Sequence, residues 1–324
     1  MDFTPSVYEH AAALIGRTPW DVSRDGELVF QGHVEAYRRY RHAPIVVGID
    51  IYNLEAEAYG APVEPAQGNA IPAISRHPCQ SMAELARLPH FDPARAGRIP
   101  MMLAAARRVK QAFPEADVRI PVSGPFSIAC ALAGFETLLC ETVTDPDATR
   151  AALLHLAAGQ IPFCRAVHEQ GLGVAFFESA ATPPLLSPQR FVDVELPALK
   201  QTIAGAAAVL GRPVPCVIGG NTAPILEYML STGTRYVICP FETDQAAFMK
   251  IVWDRTDVRV RINMDLRIIA QGPWDAIRQE VDRVLALVRG RPNVCLGTGA
   301  LPYETPPENV LRIAEYVQRG ERQG

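Results

Sequence analysis

The chain has 324 residues, with Lys+Arg 31 against Asp+Glu 35 and a net charge of -4; 48% of it is hydrophobic. That composition excludes a disordered chain, and the balanced charge excludes a general phosphate-backbone binder, which needs clustered Lys and Arg. No stretch approaches the ~20 apolar residues of a membrane span. The start, MDFTPSVYEH, has an acidic second residue and no apolar core, so no export signal and a cytoplasmic location are expected.

In chain order, the first 43 residues read as a polar-faced helical segment. Short β-branched runs follow: 44–50 (PIVVGID), 118–123 (VRIPVS), 172–179 (LGVAFFES), 214–220 (VPCVIGG), 235–240 (RYVICP), 258–263 (VRVRIN) and 293–299 (NVCLGTG). Each is continuous rather than alternating, as a parallel strand covered on both faces should be. Helical stretches lie between them. One covers 188–210, with Ser187 as N-cap and Gly211 just past its end. Others cover 244–253, 273–288 and 307–317; in 273–288, Ile277, Val281, Val284, Leu285 and Val288 share one face. Repeated strand-then-helix units predict an α/β fold with a parallel sheet, and about seven units favour a (β/α)8 TIM barrel. The eighth strand has no clear signal. The expected organisation is one barrel domain over 1–324, with a Pro- and Gly-rich insertion at about 60–100. No GxGxxG follows an early strand, which weakens a dinucleotide site.

A barrel's active site lies at the C-terminal ends of its strands. Those ends deliver Asp50, Ser123, Glu178, Asn221, Cys239, Asn263, Asp265 and Thr298, with Tyr52 and Asn53 just after the first run. Carboxylates from several strands suit proton transfer or metal binding. Each has a plainer reading: Asp50 as a helix cap, Glu178 as a loop brace, Asn221 as a turn residue, Asp265 as a cap or a brace for Arg267. The seven cysteines are scattered, with no CxxC or CxH pair, and read as reduced, mostly buried thiols. His77 and Cys79 form a conceivable ligand pair in the insertion, though a surface loop is the simpler reading.

Six segments in order, GIDIYNLEAEAYG (48–60), SGPFSIACALAGFE (123–136), LLSPQRFVDVELPALKQ (185–201), GGNTAPILEYM (219–229), INMD (262–265) and LGTGALPYETPPENV (296–310), resemble the uroporphyrinogen decarboxylase superfamily. The resemblance implies a (β/α)8 barrel. It also implies one of two activities: cofactor-free decarboxylation of a tetrapyrrole, or methyl transfer between a corrinoid protein and a thiol activated by zinc.

The decarboxylases' Asp after the first strand corresponds to Asp50. Their N-terminal arginine motif for substrate carboxylates is missing, a Tyr after GPF corresponds to Ala131, and the His of a late GHG corresponds to Thr298. The methyltransferases' zinc ligands correspond to Val217, Gly219 and Gly299, none of which can ligate through a side chain. The resemblance therefore implies a methyltransferase-like enzyme with an altered or metal-free site, no zinc at the family position, no cofactor held by a recognisable motif, and a corrinoid on a separate partner protein. Asp50 and Glu178 are the expected catalytic residues. Tyr52, Asn53, Asn221, Cys239, Asn263, Asp265 and Thr298 are expected to bind a small-molecule substrate. The alternatives are a decarboxylase-like lyase on a smaller carboxylated substrate and a binding barrel without chemistry.

Overall fold

A computed structural model describes residues 1–321. Eight parallel strands form one sheet: β1 (Phe3–Ser6), β2 (Ile45–Val46), β3 (Val118–Ser123), β4 (Gly173–Phe177), β5 (Cys216–Val217), β6 (Tyr236–Cys239), β7 (Arg259–Met264) and β8 (Val294–Ala300). The order β1-β8-β7-β6-β5-β4-β3-β2 wraps it into a nearly closed TIM barrel, with helices between successive strands. Seven strands are those expected from sequence. The eighth is the first four-residue strand, inside the segment read as wholly helical; helices begin only at Glu9. Its residues, FTPS, have almost no apolar signal, and its register with β8 shifts between Thr4 and Ser6. Pro5 sits in that shift, where its missing N–H costs no ladder bond. Pairing with β8, nearly 300 residues away, makes this strand, not local preference.

Strand residues alternate between two cores. Val174, Phe176, Val237, Cys239, Val260, Ile262 and Met264 belong to the outer core under the helices. Ala175, Phe177, Ile238, Tyr8, Ile51 and Val217 form a separate cluster in the barrel lumen, with Tyr52, Tyr236 and Ala300 against it. The helix Trp274–Val288 covers the outer face of the sheet with Ile277, Val281, Val284 and Val288, all buried. The seam between β1 and β2 is bridged by the helix Gly26–Tyr40 and its flanks: Tyr40 Oη bonds His10 Nε2 at 2.8 Å, and the Gly48 N–H donates to His33 Nε2 at 3.0 Å. In the 60–100 segment, Val63–Glu64 pairs antiparallel with Ala73–Ile74.

The expected 188–210 helix starts at the Ser187 cap and stops at left-handed Gly211, but contains a π-helical turn over Phe191–Glu195. Pro197 has no N–H for the Asp193 carbonyl four residues back, which loosens the ladder there. Arg150 Nε takes that carbonyl at 2.8 Å. The wider turn carries Glu195 toward β4. Among the described residues no single helix is long and apolar enough to cross a membrane.

Candidate active site

The C-terminal mouth of the barrel holds a cleft of about 350 Å³ with walls from seven of the eight strand ends: β1, β2 and β4–β8. Its polar groups are Ser6, Tyr8, Tyr52, Ser179, Arg261, Asn263 and the rim residue Glu242; Phe177, Val217, Ile238 and Leu266 supply apolar surface. Tyr8 and Tyr52 both meet Phe177 edge-on, with ring centroids 6.0 and 6.3 Å apart. The Tyr52 hydroxyl hydrogen-bonds Ser179 Oγ. Burial raises the pKa of both tyrosines, so both keep their protons at neutral pH and can donate a hydrogen bond. A larger cavity, about 520 Å³, lies at the opposite end between Asp2, Arg41, Asp117, Arg119 and Arg259. Several of its charges neutralise one another, Arg259 with Asp2 and Arg119 with Asp117, and it lies on the face where barrels do not place chemistry.

Among the described residues, β7 brings the only Lys or Arg side chain into the mouth. Along Arg-Val-Arg-Ile-Asn-Met, Val260, Ile262 and Met264 point to the outer core, while Arg261 and Asn263 point into the cleft. Arg261 is 7% exposed. Among the described residues its side chain makes no ion pair or hydrogen bond, and its Nε is wholly buried without a partner. Asn263 Oδ1 is likewise buried and unpartnered. β8 makes room for the guanidinium stem at Gly297: a Cβ there would lie 2.4 Å from Arg261 Cδ and 2.5 Å from Cγ. Gly297→Ala must therefore displace Arg261, with an expected loss of about 1–3 kcal/mol from overpacking. Chemical denaturation checks this, and unchanged stability would mean that Arg261 is not held where the structure places it.

Asn263 and Tyr52 are the two sequence-derived candidates whose side chains line the cleft; Asp50, Glu178 and Asn221 lie outside its lining. Asp50 turns to Arg98, which donates to both carboxylate oxygens at 2.9 and 2.7 Å, while Asn53 Nδ2 adds a bond at 3.2 Å. Asn53 also donates to the Pro72 carbonyl at 2.6 Å. Arg98 continues to Glu57 at 2.5 Å, and Glu57 to Arg24 at 2.5 Å. Asp50 is thus one end of a buried ion-pair chain behind the mouth, and Tyr52, not Asp50, stands at the N-cap of the next helix.

Glu178 follows β4 on its outward side. It accepts from the Phe126 and Ser127 N–H groups at 3.0 and 2.8 Å and from Ser127 Oγ at 2.5 Å, at the start of the helix Pro125–Ala133. Gly124 has to be glycine here, since a Cβ would lie 2.0 Å from Glu178 Oε2. Burial pushes Glu178 up to about 7, against those donors. Glu195 faces it, raised well above the carboxylate range by burial and by the Glu178 charge, so the fold favours its protonated form.

The remaining candidates are braces. Asn221 Oδ1 accepts from Thr243 Oγ1 at 3.0 Å. Cys239 is an outer-core thiol whose pKa burial raises. Asp265 caps the helix Leu266–Gln271 and pairs with Arg267 at 2.9 Å. Thr298 Oγ1 accepts the Ser6 N–H at 3.0 Å and so ties β1 to β8. Ser123 donates to Glu55, a fully buried acid that burial pushes up to about 7. Exposed His77 bonds the Ala131 carbonyl at 2.8 Å, while Cys79 is buried. Sequence reasoning missed Tyr8, Ser179 and Arg261. Arg261 did carry a signal, since a charged residue inside a strand buried on both faces has to point into the lumen.

Val217, Gly219 and Gly299, the three positions aligned with zinc ligands, all lie on the wall of this one cleft. They offer it no donor side chain, so the family's zinc does not fit here. Among the described residues no three His, Cys, Asp or Glu side chains are grouped to hold a metal ion.

The family model described as uroporphyrinogen decarboxylase (URO-D) matches residues 3–320. No curated protein sequence matches the chain. A methyltransferase from Methanosarcina mazei shares the fold at a TM-score of 0.81 and 21% identity, over 99% of this chain and 93% of that one. A B12-independent methionine synthase from Shewanella sp. W3-18-1 aligns at a TM-score of 0.45 and 10% identity, over 68% of this chain and 67% of that one.

Proposed function

The chain belongs to the uroporphyrinogen decarboxylase family, and we propose that within it this barrel moves a methyl group between a small substrate in the mouth and a corrinoid carried by a separate protein. The size of the cleft, about 350 Å³, carries this reading. That is the lower end of small-molecule sites, whereas a tetrapyrrole polycarboxylate needs a wide mouth with cations on several sides. The corrinoid supplies the cobalt that takes or gives the methyl group. This chain's part is to hold the substrate and manage a proton. A methyl group departs as a cation equivalent, so the oxygen, sulfur or nitrogen it leaves must gain a proton. Tyr52, paired with Ser179, and Tyr8 are the protonated hydroxyls at hand. Exposed Leu185, in the loop after β4, and exposed Ile71, beside the Pro72 whose carbonyl Asn53 holds, offer apolar surface for a protein partner.

The test incubates the enzyme with free cob(I)alamin and either 2-methoxypropionate or 2-methoxypropanol, following the cobalamin spectrum and the demethylated product. The expected result is enzyme-dependent methylation of the cobalamin, reduced at least tenfold in Tyr52→Phe if its hydroxyl serves as acid. Release of carbon dioxide from the acid without methyl transfer would instead establish the lyase alternative, which a guanidinium in the mouth also suits. Formation of neither product would sink the proposal.

A further inference from the structure

We infer that Arg261 and Asn263 form a built subsite for a small carboxylic acid bearing a hydrogen-bond donor next to its carboxylate, such as a 2-hydroxy or 2-amino acid. The inference rests on reading the mouth as the substrate site, and not on the reaction performed there.

A guanidinium is charged at any pH a protein meets. Burying one without a partner is among the costlier things a fold can do. Elsewhere among the described residues it is avoided. Buried Arg98 has Asp50 and Glu57, and buried Arg291 donates to carbonyl oxygens of Val252, Arg255, Val258, Pro292 and Asn293. Arg261 is as buried as these and has no acceptor among the described residues. Its neighbours in the lumen do not compensate it, because Tyr8 and Tyr236 are neutral hydroxyls there. The glycine at 297 keeps the space its stem occupies open. A fold that clears space for an arginine, surrounds it with apolar and aromatic walls and leaves it unpaired is complementary to an anion from outside. A planar carboxylate matches the guanidinium fork.

Asn263 extends the specificity. It stands two residues along the same strand on the same wall, nearer the opening, with a buried carbonyl oxygen that has no donor. A carboxylate on Arg261 cannot satisfy that acceptor; a hydroxyl or amino group on the adjacent carbon can. The amide could also present its NH₂ to the cleft, so the donor requirement is tested separately from the carboxylate. Phe177, Val217 and Ile238 leave an apolar wall for a short side chain.

The experiment uses the whole chain without any corrinoid, with lactate, propionate and lactamide as probes in thermal unfolding. Lactate at roughly ten times its Kd should raise Tm by about 2–3 °C. Propionate should act more weakly, and lactamide, which lacks the charge, should leave Tm unchanged. Arg261→Met should abolish the lactate response while its own Tm is equal to or above that of the parent, since it removes an unpaired buried charge. Asn263→Leu should erase the difference between lactate and propionate but keep the response to both. An arginine serving the fold alone predicts the opposite for Arg261→Met, a lower Tm, and no ligand response in the parent. Absence of any response to either acid in the parent, or a response kept in Arg261→Met, overturns the inference. Should Arg261→Met fail to fold, Arg261→Gln with the same probes decides. Acid binding without methyl transfer would leave this inference standing and remove the proposed reaction; methyl transfer from 2-methoxypropanol alone would do the reverse.

Discussion

Asp50→Ala is expected to destabilise the protein by about 3–5 kcal/mol, the cost of leaving a buried charge without its partner. Arg98 is 8% exposed, Asp50 5%, and the guanidinium holds both carboxylate oxygens. Without Asp50 the remaining anion, Glu57, already serves Arg24 as well. In thermal unfolding this appears as a Tm loss of roughly 5–10 °C. Had Asp50 merely capped the following helix, the loss would be about 1 kcal/mol. The double variant Asp50→Ala/Arg98→Met should recover much of the stability, because removing both partners of a buried pair is far cheaper than removing one. A double variant no better than the single one would mean that the two groups are not coupled. Turnover per folded molecule should fall less than it does on altering Tyr52, since Asp50 lies behind the mouth and not in it.

Glu195→Gln should make the protein more stable at pH 8 and change it much less at pH 5. The sign follows from linkage. Glu195 is raised well above 4.5 by burial and by Glu178. Below pH 4.5 both the folded and the unfolded chain hold the proton, and its contribution to stability is fully present. As pH rises above 4.5 the unfolded chain releases the proton first, so that contribution is lost progressively toward the folded pKa. Glutamine keeps the size and supplies a permanent donor to Glu178 without a titrating group. Denaturant titrations of both proteins at the two pH values measure the effect. Equal destabilisation by Gln at pH 5 and pH 8 would show that the fold does not raise the pKa of Glu195. The parent's overall profile will be flatter than one acid suggests. His33 and His42 are buried neutral, lowered to about 4 and about 3 by burial, so they favour folding at the higher pH and oppose the carboxyls as pH falls below 6.5.

The sequence by itself determined the barrel. Continuous Val/Ile/Phe runs separated by amphipathic helices report local chemistry, and each run needs helices over its outer face wherever it ends up. Caps followed in the same way: Ser187 and Gly211 act at the ends where their residue types place them. The aligned zinc positions could also be read directly, as three residues without donors, and they do meet on one wall. Part of the site lay within reach of the same local rule. Counting alternate residues along β4, β6 and β7 sends Glu178 and Cys239 outward and Ser179, Arg261 and Asn263 inward, because successive side chains of a strand face opposite sides. Tertiary structure alone decided the rest. Whether a charge is paired depends on residues far away in the chain: Arg98 lies 48 positions from Asp50, and β1 finds β8 across nearly the whole sequence. A carboxylate at a strand end looks the same in sequence whether it faces substrate or an arginine. Asp50 and Arg261 differ only in what the fold brings against them, a cation in one case and an open cleft in the other, and that long-range difference makes one a brace and leaves the other free to bind.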